Sequence, residues 1–114
     1  MNKKAIFLVI LFSANVFSSA LNNLKVPDGF QVLVFAKNID KPRQMTEGNN
    51  GYIFVGSSSG KVYALKDHDE NGEIDDVQVI ADDFGDSSGV AFFKGSLYIA
   101  EIDKIWRIDD IEKK

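Results

Sequence analysis

The apolar positions of this chain fall into short runs separated by polar turns. After a first apolar block at residues 5–12, such runs cover residues 30–36, 52–56, 61–65, 77–81, 89–93, 97–100 and 105–108. They are rich in β-branched and aromatic side chains, which suit a pleated, half-buried surface. Turn chemistry brackets them at Pro27-Asp28-Gly29, Asn49-Asn50-Gly51, Ser57-Ser58-Ser59-Gly60 and Lys94-Gly95. No window beyond residue 20 carries a helical period of apolar positions. Strands spaced about ten residues apart predict an all-β sandwich, barrel or propeller.

An internal repeat selects among these. Gly51-Tyr52-Ile53-Phe54-Val55-Gly56 recurs as Gly95-Ser96-Leu97-Tyr98-Ile99-Ala100 at an offset of 44, and Lys61-Val62-Tyr63-Ala64-Leu65 as Lys104-Ile105-Trp106-Arg107-Ile108 at an offset of 43. Both copies run from turn glycine through strand, polar loop and lysine to an aromatic strand. Two chance hairpins of similar composition are the competing explanation, and the shared order argues against them. A β-repeat of about 40–50 residues is the length of one propeller blade. On that reading residues 43–83 form blade one, with 44–47 as its inner strand, and residues 87–110 form a partial blade two. Residues 30–36 would be the outer strand of a closing blade. Propellers need about four to eight blades. The expectation is therefore an all-β chain holding about two blades of a six-bladed β-propeller, incomplete and truncated. An intact small domain or an assembly of copies is the alternative.

The first block reads as an address. Lys3 and Lys4 precede the unbroken apolar stretch from Ala5 to Phe12, and Ser18-Ser19-Ala20 offers small residues for cleavage. Residues 1–20 are expected to be a signal peptide cut after Ala20, which makes the protein secreted or periplasmic, with no membrane span afterwards. A membrane anchor is the competing reading, but a span needs about 20 apolar residues and Ser13 and Asn15 interrupt this one.

Composition then narrows the chemistry. The 114 residues carry 13 Lys+Arg against 17 Asp+Glu, a formal net charge of −4. An acidic chain lacks the basic face that phosphate binding needs, so nucleic acid is not expected as a partner. Zero cysteines exclude a disulfide scaffold, a thiolate metal site and a cysteine nucleophile.

The sharpest local motif is Asp67-His68-Asp69-Glu70-Asn71-Gly72-Glu73-Ile74-Asp75. Oxygen-bearing side chains at Asp67, Asp69, Asn71 and Asp75, with glycine at the sixth position, match the front of a calcium loop. The twelfth position is Gln78 rather than a bidentate glutamate, and no flanking helices are expected. A solvated acidic hairpin connection is the competing reading. His68, in the same loop, is the one histidine and so the one imidazole available as a general base; an exposed histidine among acids is the simpler account.

Three stretches resemble the soluble quinoprotein dehydrogenases of the sorbosone/glucose dehydrogenase family. They are Val26-Pro27-Asp28-Gly29-Phe30-Gln31-Val32 with Val34-Phe35-Ala36; Arg43-Gln44-Met45 with Phe54-Val55-Gly56-Ser57 and Gly60-Lys61-Val62-Tyr63-Ala64; and Gly89-Val90-Ala91-Phe92 with Gly95-Ser96-Leu97-Tyr98-Ile99-Ala100-Glu101 and Ile105-Trp106-Arg107. The resemblance implies a six-bladed propeller that uses pyrroloquinoline quinone (PQQ). It also implies oxidation of a sugar or sugar aldehyde by hydride transfer to the quinone, with a histidine as base. On the same resemblance that histidine, and most residues gripping the quinone, would follow Lys114. The family's Pro-Asn pair ahead of Gly-Val-Ala-Phe is replaced here by Ser87-Ser88.

In the propeller reading Arg43 and Gln44 sit on a top-face loop, where Arg43 can pair with a cofactor carboxylate as a planar fork or bind loop carbonyls. Residues 57–60 and 101–103 fall on the same face. Glu101 is read there as a substrate contact or a structural acceptor, and Trp106 and Tyr63 as packing between blades. Two functions follow. One is the N-terminal fragment of an exported PQQ-dependent sugar/aldehyde dehydrogenase, not catalytic alone; the other is a small secreted non-enzymatic β-module binding a partner or calcium.

Overall fold

The computed structural model describes residues 23–113. The expected signal peptide, residues 1–20, lies outside them. The chain divides into two units, Met1–Leu33 and Val34–Lys114. In the first, the Phe30 N–H donates to the Pro27 carbonyl at 3.1 Å and closes a turn at Asp28-Gly29, where Gly29 takes a φ of 87°.

The second unit is all-β. Its strands are β1 (Pro42–Glu47), β2 (Ile53–Ser57), β3 (Val62–Lys66), β4 (Asp76–Ala81), β5 (Gly89–Phe93), β6 (Ser96–Ala100) and β7 (Ile105–Ile108), followed by a 3₁₀ turn at Ile111–Lys113. They form a four-stranded sheet in the order β1-β2-β3-β4 and a three-stranded sheet in the order β5-β6-β7. Every neighbouring pair is antiparallel. No helix among the described residues is long and apolar enough to cross a membrane.

Strand residues alternate between faces, and both faces of the first sheet are used. Phe54, Val62 and Ala64 pack with Leu97 and Ile99 of the second sheet to form the main core. Val55, Tyr63 and Leu65, one position out of phase, form a second cluster on the far face with Ala36, Ile39 and Ile74. The apolar runs at β2 and β3 are continuous, not alternating, because each strand is covered on both sides. Strands β1 and β5, one from each sheet, lie side by side, and the Phe92 N–H donates to the Thr46 hydroxyl at 3.2 Å between them.

The expected strand over residues 30–36 does not form. A strand exists only through a ladder to a neighbour. Here the Phe35 carbonyl accepts one bond, from the Ile74 N–H at 2.9 Å, and Ile74 belongs to the β3–β4 connection. The other runs shift by a residue or two at most. Lys61 stays outside β3 because it follows the turn at Gly60, whose φ is 85°. Pro42 opens β1, a place where a missing N–H is tolerated on an edge strand.

Candidate functional site

Two ends of the first sheet carry the candidate residues. At the end where β1 and β3 begin, several connections converge. Ser57 and Ser87 are fully buried there. The Ser57 hydroxyl donates to the Asp40 carbonyl. The Ser87 N–H donates to the Ser57 carbonyl at 3.2 Å, and its hydroxyl to the carbonyls of Ser57 at 3.1 Å and Lys61 at 3.0 Å. The backbones approach so closely that a Cβ on Gly56 would strike the carbonyls of Ser87 and Ser88. Ser87 and Ser88 are thus built into the junction between the sheets.

Glu101 is held in the same junction. Its carboxylate accepts the Gly85 N–H and the Trp106 indole N–H, both at 2.8 Å. Those bonds, the Gly85 bond foremost, with Lys104 nearby, hold its carboxyl below the usual glutamate range. The carboxylate is therefore occupied as a structural acceptor. Trp106 also lies against Phe84, ring centroids 6.1 Å apart. Asp86 is pulled down likewise, by the Ser88 hydroxyl and N–H, with the Arg43 charge contributing.

Arg43 and Gln44 fall where the β1–β2 register is broken between Pro42 and Met45, a bulge that re-aims side chains. Both are exposed. Gln44 opens onto a groove of about 240 Å³ whose other lining residues include Gly89, Ala91, Tyr98, Ala100 and Ile105. None of the lining residues carries a charge, and Arg43 is not among them. A polycarboxylate quinone needs converging cations, so Arg43 and Gln44 do not by themselves make a grip for PQQ.

The acidic loop lies at the opposite end, after β3. One carboxylate oxygen from each of Asp67, Asp69 and Asp75 can be found within 4.8 Å of the others. Asp67 accepts the Gly72 N–H at 2.8 Å and the Asn71 N–H at 3.2 Å. Its partial burial pushes its pKa up, but those backbone bonds and a bond with Asp69 bring it down overall. Gly72 has a φ of 91°, which lets the chain turn back over Asp67. The fourth expected ligand, Asn71, is directed elsewhere: its amide donates to Asp69 at 3.1 Å and its oxygen accepts the Glu73 N–H at 2.8 Å. His68 Nε2 sits 3.3 Å from Asp76, with its side chain 55% exposed, at the far end of the sheet from Arg43 and Gln44. The buried roles of Ser57 and Ser87 were not foreseen in sequence, since serine in a turn ordinarily signals solvent.

No family model matches the chain, and no solved structure matches it. Over 94 residues it is 32% identical to an uncharacterized protein of Borreliella burgdorferi (strain ATCC 35210 / DSM 4680 / CIP 102532 / B31). The match covers 82% of this chain and 23% of that protein, so the chain spans about a quarter of its relative's length.

Proposed function

We propose that this chain is a sector of an exported β-propeller of the soluble quinoprotein sugar-dehydrogenase type, and that it does not oxidise sugars by itself. What carries the reading is the stacking of two antiparallel meanders with inner strands β1 and β5 adjacent, which is how neighbouring blades meet around a propeller axis. The Borreliella protein, more than four times longer than the matched stretch, is compatible with further sheets of the same kind. Sugar oxidation must remove a proton as well as a hydride, and the proton needs a base within hydrogen-bond reach. His68 is engaged with Asp76 on the acidic loop, away from the end where Arg43 and Gln44 lie. The DNA beyond the Lys114 codon tests the reading directly. Further copies of the repeat with a histidine-bearing top loop support it, and their absence overturns it. For the chain alone, we expect no dye reduction above blank with aldoses, PQQ and calcium; measured turnover would refute that.

A second reading, a non-catalytic secreted module that binds calcium, is favoured by the convergence of Asp67, Asp69 and Asp75. Calcium takes six to eight oxygens at about 2.3–2.6 Å, and oxygens this close can share one ion, with backbone carbonyls and water completing the shell. Thermal unfolding followed during a calcium titration tests it. A rise in Tm is expected, and an unchanged Tm at millimolar calcium would exclude the site.

A further inference from the structure

Two asparagines of this chain precede a glycine, at Asn50-Gly51 and Asn71-Gly72. Such a step is open to spontaneous loss of the side-chain amide, because glycine has no Cβ to keep its backbone nitrogen away from the preceding side chain. Both steps lie on exposed connections between strands, and a Cβ on either glycine would meet nothing within 4 Å. Sequence and exposure therefore treat them alike. Their hydrogen bonds do not.

Asn71 is held at every group the reaction would use. Its side-chain amide donates to Asp69 at 3.1 Å, and its side-chain oxygen accepts the Glu73 N–H at 2.8 Å. The Gly72 N–H donates to the Asp67 carboxylate at 2.8 Å, and that negative charge opposes loss of the amide proton. The Asn50 step is built differently. The β1–β2 hairpin is closed by the Gly48 N–H, which donates to the Tyr52 carbonyl at 2.8 Å. At its tip the Asn50 backbone N–H donates to the Glu112 carboxylate at 2.8 Å. Among the described residues, no hydrogen bond engages the Asn50 side chain or the Gly51 N–H.

We propose that Asn50 is a site of spontaneous deamidation in the folded chain and that Asn71 is shielded from it. The Gly51 backbone nitrogen attacks Asn50 Cγ. The N–Cγ bond forms, the Cγ–Nδ2 bond breaks, and ammonia leaves with the proton from the Gly51 nitrogen. Water then opens the cyclic imide. Opening at Cγ gives aspartate; opening at the Asn50 backbone carbonyl gives isoaspartate, in which the chain runs through Cγ. Nothing is oxidised or reduced, and the step is independent of the dehydrogenase reading. It acts on a link between the sheets. The 3₁₀ turn that carries Glu112 is bound to the β5–β6 hairpin, where the Ile111 N–H donates to the Gly95 carbonyl at 3.1 Å. Isoaspartate sets its carboxylate on the α-carbon, beside the N–H that Glu112 accepts, and like charges repel. Deamidation therefore loosens the tie between the two hairpin tips.

The test is to incubate the full chain in mildly alkaline buffer, with and without denaturant, and to digest it with trypsin. Cleavage after Arg43, Lys61, Lys66 and Lys94 puts Asn50 on peptide 44–61 and Asn71 on peptide 67–94. Mass spectrometry follows the replacement of amide by acid on each, with fragment ions separating Asn50 from Asn49. In the folded chain Asn50 is expected to convert at least about tenfold faster than Asn71, whose hydrogen bonds must break first. In denaturant the two rates should converge, and Asn50→Gln should leave peptide 44–61 unconverted. Equal rates in the folded chain, conversion at Asn49 instead, or the same rate ratio in denaturant would overturn the proposal. The converted form, separated by anion exchange, should melt below the unconverted one. An equal Tm would overturn the loosening of the Glu112 tie.

Discussion

Gly56 shows what the junction between the sheets demands of one residue. A methyl group there meets two backbone carbonyls, of Ser87 and Ser88, that cannot swing aside. We expect Gly56→Ala to cost about 2–4 kcal/mol in a denaturant titration, although its backbone angles suit any residue. Glu101 makes a second prediction, in pH. Its carboxyl lies below the ordinary value of 4.5 in the folded chain, so folding favours the ionised form. The stabilisation is complete above the unfolded value and is lost as pH falls through the folded one. Denaturation midpoints of the unaltered protein and Glu101→Gln should therefore differ near neutrality and converge below about pH 4.5; a gap that stays constant would show that Glu101 acts through something other than its charge.

At the scale of elements, the acidic β3–β4 connection is the segment most open to test. Asp67 is bonded to Gly72 and Asn71 whether or not an ion is present, so the turn is shaped before any ligand arrives. If calcium binds, Asp69→Asn and Asp75→Asn should each abolish the calcium-dependent rise in Tm while leaving the calcium-free Tm within a degree or two. The composition of this loop was legible in sequence, as were all seven strands from β1 to β7, because turn residues and apolar runs act locally. The orientation of Asn71 was not, since its amide had two local partners, Asp69 and the Glu73 N–H, that spacing alone does not rank. Residues 30–36 show the opposite failure. Their β-propensity is high, but propensity without a pairing strand leaves the ladder bonds unmade.

For the molecule as a whole, the main core ties the two sheets together. Phe54 and Val62 of the first sheet share a cluster with Leu97 and Ile99 of the second, so each sheet loses the cover of that shared face if the other leaves. Leu97→Ala should cost about 2–5 kcal/mol. Trp106 fluorescence, which reports the second sheet, should lose its native signal together with far-UV circular dichroism. Two separated transitions would show that the sheets are independent.

The sequence by itself determined that the described residues are all-β, where the seven strands β1 to β7 run, that they repeat every 43 or 44 residues, and that three aspartates lie close along one loop. Those properties depend on neighbours a few positions apart. Tertiary structure decided which face of each sheet is buried. It set Ser57, Ser87 and Glu101 to joining backbone across the junction and placed Gln44 on an uncharged groove away from Arg43. These outcomes rest on contacts such as Ser87 with Ser57, or Gly85 with Glu101, between residues far apart along the chain. Only the packing of one sheet on the other brings them within hydrogen-bond reach.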